Sequence, residues 1–183
     1  MIGAGFGYWS TLVAAATLLV GLLWWLRAAQ ASRKEMAVRP PELIDADLVY
    51  SERRFEVSEP VNLSVRLDRA YLLRSGLVVL MELKTRRRSR VFPSDVVQLS
   101  AQRLALERAT RHAVAGHGYV VAEALDGKRK SYRVRLLSDE AVVGLIRRRE
   151  AILAGQQAPR AAVSPKLCVA CAYRNVCPDR RAP

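Results

Sequence analysis

The chain has 183 residues, which suits one domain of ordinary size with short segments beside it and leaves little room for a second. An apolar fraction of 51% and a charged fraction of 26% exclude a disordered or low-complexity protein. Its 30 Lys and Arg against 17 Asp and Glu, a net +13, point to a polyanionic partner, either nucleic acid or an anionic membrane.

The charge is unevenly placed. Residues 1–30 hold no acid and a single base, Arg27. From Phe6 to Leu26 runs FGYWSTLVAAATLLVGLLWWL, long enough as a helix to cross the ~30 Å apolar layer of a bilayer. Tyr8 and Trp9 stand near one end and Trp24 and Trp25 at the other, where interfacial aromatics belong. Arg27, Arg33, Lys34 and Arg39 follow the run. The positive-inside rule therefore predicts a single-pass anchor over 1–30 in the inner membrane, with the N-terminus outside and the remainder in the cytoplasm. A cleaved signal peptide ending near Ala29-Gln30-Ala31 is the alternative, though the basic n-region it needs is missing.

Residues 31–42 read as a basic linker closed by Pro40-Pro41. LIDADLVYSERRFEV (43–57) has mixed periodicity and is expected as a short helix. In 61–73, Leu63, Val65 and Leu67 alternate with polar neighbours as in a strand; Arg74-Ser75-Gly76 makes a turn; LVVLMELK (77–84) is a second, more central strand. TRRRSR (85–90) is a basic loop, and Pro93-Ser94 opens a helix reaching about residue 113. GYVVAEA (118–124) and SYRVRLL (131–137) form two strands about a turn at Asp126-Gly127. Ser138 caps a helix over 139–154, and 156–183 is a linker with a cysteine segment. The expected class is α/β, a mixed sheet flanked by helices over 43–155, preceded by one transmembrane helix.

A hairpin centred on residue 75 would set Asp68 opposite Glu82, with Cβ atoms ~5 Å apart. Glu82 and Lys84 are two apart on one strand and so share a face, leaving Val79, Met81 and Leu83 for the core. Two close carboxylates repel unless a positive charge joins them, and a hard divalent cation or a lysine can do so. The first makes a hydrolytic site; the second is a salt-bridged hairpin surface. Cys168, Cys171 and Cys177 cannot all pair as disulfides, and their spacing resembles ligand spacing.

Asp68, the apolar β-run, and Glu82-Leu83-Lys84 resemble the PD-(D/E)XK nuclease superfamily, in particular its RecB-like, CRISPR-associated exonuclease branch. Pro93-Ser94-Asp95-Val96-Val97-Gln98-Leu99 is similar to the helix that follows in that branch. Cys168-x2-Cys171-x5-Cys177, with Pro165 before it, is similar to its iron–sulfur segment. The resemblance covers about residues 43–180. It implies a restriction-endonuclease-like fold and hydrolysis of DNA with Mg2+ or Mn2+ held by Asp68, Glu82 and the Leu83 carbonyl. It further implies that Lys84 assists the attacking water and that Gln98 orients Lys84 or substrate.

Three departures stand out. Ser51, in Tyr50-Ser51-Glu52-Arg53, takes the place of the family's fourth cysteine. His112 and His117 lie downstream of the site, as helix-end and loop residues, where the family often has a His upstream. The family's Gln-x3-Tyr becomes Gln98-x3-Gln102. For the cysteines the options are a labile 4Fe-4S cluster, zinc or no metal. Arg86, Arg87, Arg88 and Arg90 follow the site directly and are expected to hold the DNA phosphate backbone; Lys128, Arg129, Lys130 and Arg147 to Arg149 are further basic clusters with solvated-surface or lipid alternatives. The alternative to a nuclease is a nucleic-acid-binding or scaffold module that kept the fold, or a membrane-surface adaptor.

Overall fold

The computed structural model describes residues 5–36, 39–87, 89–160, 165–169, 171–172 and 174–177. The chain divides into two compact units, Met1–Asp139 and Glu140–Pro183. The first unit opens with helix α1 (Gly5–Met36), and its core is a five-stranded sheet. Strand β1 (Asp47–Val57), β2 (Leu63–Leu72), β3 (Val78–Thr85), β4 (Val114–Glu123) and β5 (Arg129–Arg135) lie side by side in chain order. β1, β2 and β3 pair antiparallel, β3 and β4 pair parallel, and β4 and β5 pair antiparallel. A parallel neighbour requires a crossover, which helix α2 (Pro93–Thr110) supplies between β3 and β4. This is the expected mixed sheet flanked by helices.

Asp47–Val57 corrects the sequence reading of 43–57, since it forms β1 where a helix was expected. Two irregularities conceal the alternation. The ladder with β2 slips between Leu48 and Tyr50, and Glu52 takes a left-handed φ of 51°. Tyr50 on one side of Glu52 and Phe55 and Val57 on the other therefore pack against the same core despite opposite parity. Across the ladder, pairing passes from Ser51↔Arg69 to Arg53↔Leu67, and β2 changes parity at the same level: Ala70 and Leu67 both enter that core. Asp68 sits at this change.

Both faces of the sheet are packed. Leu67, Val78, Leu80 and Val120 meet Leu99, Ala105 and Leu106 of α2 on one face. Tyr71, Val79, Met81, Tyr119 and Val121 meet Leu43 and Ala46 on the other. A 3-10 turn at Pro41–Leu43 brings this second group in. Glu42 fastens it, accepting the Tyr119 hydroxyl at 2.5 Å and lying 3.0 Å from His117 Nε2. Burial first, and then the bond to Glu42, push the Tyr119 phenol up to about 12. His117 is thus a residue of β4, where a loop was expected; β4 begins at Val114, just after α2 ends at Thr110 with Arg111 in the left-handed conformation.

The expected membrane span falls within α1. Among the described residues no helix is long and apolar enough to cross a membrane. The described large apolar side chains of α1 between Leu12 and Leu26 are exposed, Trp24 and Trp25 among them.

The second unit contains most of helix α3 (Asp139–Leu153), in which Val142 and Val143 are buried. After Gly155 (φ 71°), which closes that helix, come helix α4 (Pro165–Val169) and a 3-10 turn at Arg174–Val176. The expected 43–155 domain runs across the division at residue 139.

Candidate active site

The β2–β3 ladder pairs Leu72↔Val78, Tyr71↔Val79, Ala70↔Leu80 and Arg69↔Met81. The next pair in this register is Asp68 with Glu82, as the hairpin centred on residue 75 requires. There the ladder ends, and the strands part. The Leu83 N–H donates to Asp68 Oδ2 at 2.8 Å, so a carboxylate does the work of a backbone carbonyl at the fork. The other Asp68 oxygen accepts no hydrogen bond among the described residues.

β3 carries Glu82 and Lys84 onto the face covered by α2. Glu82 is only 2% exposed. Its Oε1 accepts Lys84 Nζ at 2.5 Å and Gln98 Nε2 at 2.7 Å, and its Oε2 accepts Gln102 Nε2 at 2.9 Å. Lys84 Nζ also donates to Gln98 Oε1 at 2.8 Å. Gln98 and Gln102 are one turn apart on α2 and so face the same strand. Burial drives the Glu82 pKa upward and the Asp68 charge adds to it, against the pull of Lys84 and Gln102. A buried carboxylate with its pKa raised, beside a second carboxylate and a lysine, is the arrangement expected of a site prepared to receive positive charge.

The oxygen donors fit a hard divalent cation: Asp68 keeps an oxygen without a hydrogen bond, Glu82 lies within its electrostatic reach, and the Leu83 carbonyl belongs to the same strand. Among the described residues no group of three or more His, Cys, Asp or Glu is gathered to hold a metal.

Arg86 departs from its expected role. Its guanidinium donates twice to Asp95, at 2.8 and 2.5 Å, and once to the Arg90 carbonyl at 2.9 Å. Asp95 is 2% exposed and also accepts the Phe92 N–H at 2.8 Å, which fixes the first turn of α2. Burial opposes ionisation of Asp95, but Arg86 and the Phe92 N–H outweigh it and hold its pKa below the ordinary value. Arg86 is therefore spent on holding α2, and with it Gln98, beside Lys84. Arg87 and Arg90 are exposed, Arg90 lying 4.3 Å from the Phe92 ring centre; Arg88 lies outside the described residues. Ser89, on the same loop, is held by Tyr132 of β5, whose hydroxyl donates to its carbonyl at 2.5 Å. Lys130 stands over the Tyr132 ring, while Lys128 pairs with Asp126 and Arg129 with Glu123.

Cys168, Cys171 and Cys177 form no disulfide, and among the described residues no group of three or more His, Cys, Asp or Glu is gathered as metal ligands. The chain has three cysteines where a four-iron cluster takes four, and Ser51, in the fourth place, belongs to strand β1. These residues do not fit such a cluster. Arg147, Arg148 and Arg149 lie on α3 in the same second unit.

Asp68, Glu82, Lys84 and Gln98 are thus brought together as the sequence suggested. Gln102 and Asp95 were missed as site residues. Their signals were present: Gln102 lies four residues from Gln98, and Asp95 is the third residue of a helix opened by Pro93.

The profile of the PD-(D/E)XK nuclease superfamily matches residues 8–178. No curated protein matches the chain. Among solved structures, the crystal structure of SSO0001 is similar at 19% identity, covering 93% of this chain and 74% of that one, with a TM-score of 0.47.

Proposed function

The chain belongs to the PD-(D/E)XK nuclease superfamily, and from that premise we propose that it is a metal-dependent, exonuclease-like deoxyribonuclease without strong sequence preference, of the RecB-like branch. The reading rests on one observation above the others: Lys84 is held between Glu82 and Gln98 at the fork where Asp68 leaves the ladder.

Asp68 and Glu82, with the Leu83 carbonyl, would hold Mg2+ or Mn2+. When bound, such an ion lowers the pKa of a coordinated water and stabilises charge on a phosphoryl oxygen. The chain's own contribution is orientation. Glu82 Oε1 and Gln98 Oε1 fix two directions around the Lys84 ammonium and leave its third N–H to position water or a phosphate oxygen. Arg87, Arg88 and Arg90 would hold the backbone on the near side by charge alone, which gives affinity without sequence preference.

We further propose that α1 anchors the protein in the inner membrane with the nuclease on the cytoplasmic side. The exposed Leu, Val and Trp side chains of α1 and the bases after them support this. The alternative, a binding module that kept the fold, draws on the three hydrogen bonds that already occupy Glu82. Cleavage of DNA by full-length protein in detergent with Mg2+ or Mn2+ supports the enzyme; binding without cleavage supports the module.

A further inference from the structure

Gln102 holds the two halves of the site together. Its side chain is 1% exposed, and a buried amide at such a position must spend its hydrogens on fixed partners. Nε2 lies 2.9 Å from the Arg66 carbonyl of β2 and 2.9 Å from Glu82 Oε2 of β3. A primary amide has two N–H groups, and here each goes to a different strand. Those are the strands that part beyond Arg69↔Met81. Gln102 therefore closes the open end of the fork from the side of α2, with Asp68 lying between Arg66 and the last ladder pair.

The Glu82 carboxylate is fixed from both oxygens. Lys84 and Gln98 hold Oε1, and Gln102 alone among the described residues holds Oε2. Without the amide, the carboxylate keeps its tether on one side and is free to turn on the other. The Arg66 carbonyl would at the same time lose its link to α2, and the span between Asp68 and Glu82 would no longer be set by a rigid bridge.

We infer that Gln102 is a positioning residue that sets the separation and orientation of Asp68 and Glu82 for a divalent cation. This rests on the proposed reading of those carboxylates as metal ligands. Groups that orient a ligating carboxylate typically change metal affinity by about 10- to 100-fold when removed.

The test is calorimetric titration of Mn2+ into full-length protein, with no nucleic acid and no turnover. Gln102→Met keeps the volume and removes both donors. It should bind Mn2+ at least about tenfold more weakly than wild type. Leu106→Ala is the control: it opens the same helix–sheet core without touching the carboxylates, and should leave Mn2+ affinity unchanged while lowering Tm. If Gln102→Met does not fold, Gln102→Asn keeps the amide but shortens its reach, and should show the same loss. Variants within twofold of wild type, or a Leu106→Ala loss as large as theirs, would overturn the inference and leave the metal reading intact. Wild-type protein that takes up neither Mn2+ nor Mg2+ would overturn the metal reading, and this inference with it.

Discussion

Asp68 Oδ2 accepts the backbone N–H of Leu83 at 2.8 Å, at the level where the ladder between their strands gives out. In a regular antiparallel pair that N–H would go to a carbonyl of the neighbouring strand. Giving it to a carboxylate does two things. It lets β2 diverge without orphaning a backbone donor in a half-buried place, and it fixes one oxygen of an acid whose other oxygen remains available.

Asp68 thus has a structural duty and a proposed chemical one, and one substitution separates them. Asp68→Asn retains an oxygen that can accept from Leu83 but removes the charge. Its Tm should fall by no more than a few degrees, consistent with a change of ~1 kcal/mol or less, while cleavage is lost. Thermal melts and a digestion assay on the same preparation check both halves. An active Asp68→Asn would remove Asp68 from the metal site.

The Arg86–Asp95 pair makes a prediction about pH. Asp95 has a folded pKa below its ordinary value, so its stabilisation is complete above about pH 4 and disappears as pH falls through the folded value. Arg86→Ala should cost about 3 kcal/mol near neutrality, because it leaves a buried carboxylate without its cation. Asp95→Asn should lose less and should flatten the acid limb of stability against pH. Urea melts between pH 2.5 and 7 measure this; an acid limb unchanged by Asp95→Asn would contradict it.

Arg87 and Arg90, exposed beside the site, are expected to meet phosphate. Replacing both with Ala should weaken binding to unrelated DNA sequences alike and reduce the slope of log affinity against log salt by roughly 1 for each arginine that meets a phosphate. Fluorescence anisotropy over a salt series measures the slope. An unchanged slope would return both residues to the solvated surface.

Much of this site was legible because it lies on short-range geometry. The turn at Arg74-Ser75-Gly76, with Gly76 at φ 83°, fixes a register that sequence arithmetic can extend to Asp68 and Glu82. What the arithmetic could not see was the departure from that register, which lies beyond Arg69↔Met81, at the level where β2 changes parity along its ladder with β1. β1 itself was misread for the same reason: a slip at Leu48/Tyr50 and the left-handed Glu52 break the period on which recognition of a strand depends. Arg86 was assigned to DNA because a run of arginines carries no mark of which member has a buried acid opposite it. Asp95, nine residues on, is brought there only by the loop and the first turn of α2.

The central claim is that Glu82, Lys84 and Asp68 form a hydrolytic site, and digestion of linear DNA with Lys84→Ala beside wild type tests it most directly. Full-length wild-type protein should degrade the DNA with Mg2+ or Mn2+ and stop when EDTA is added. Lys84→Ala should bind the same DNA with nearly the same affinity and leave it intact. Wild type that cuts nothing with either metal, or Lys84→Ala as active as wild type, would contradict the account.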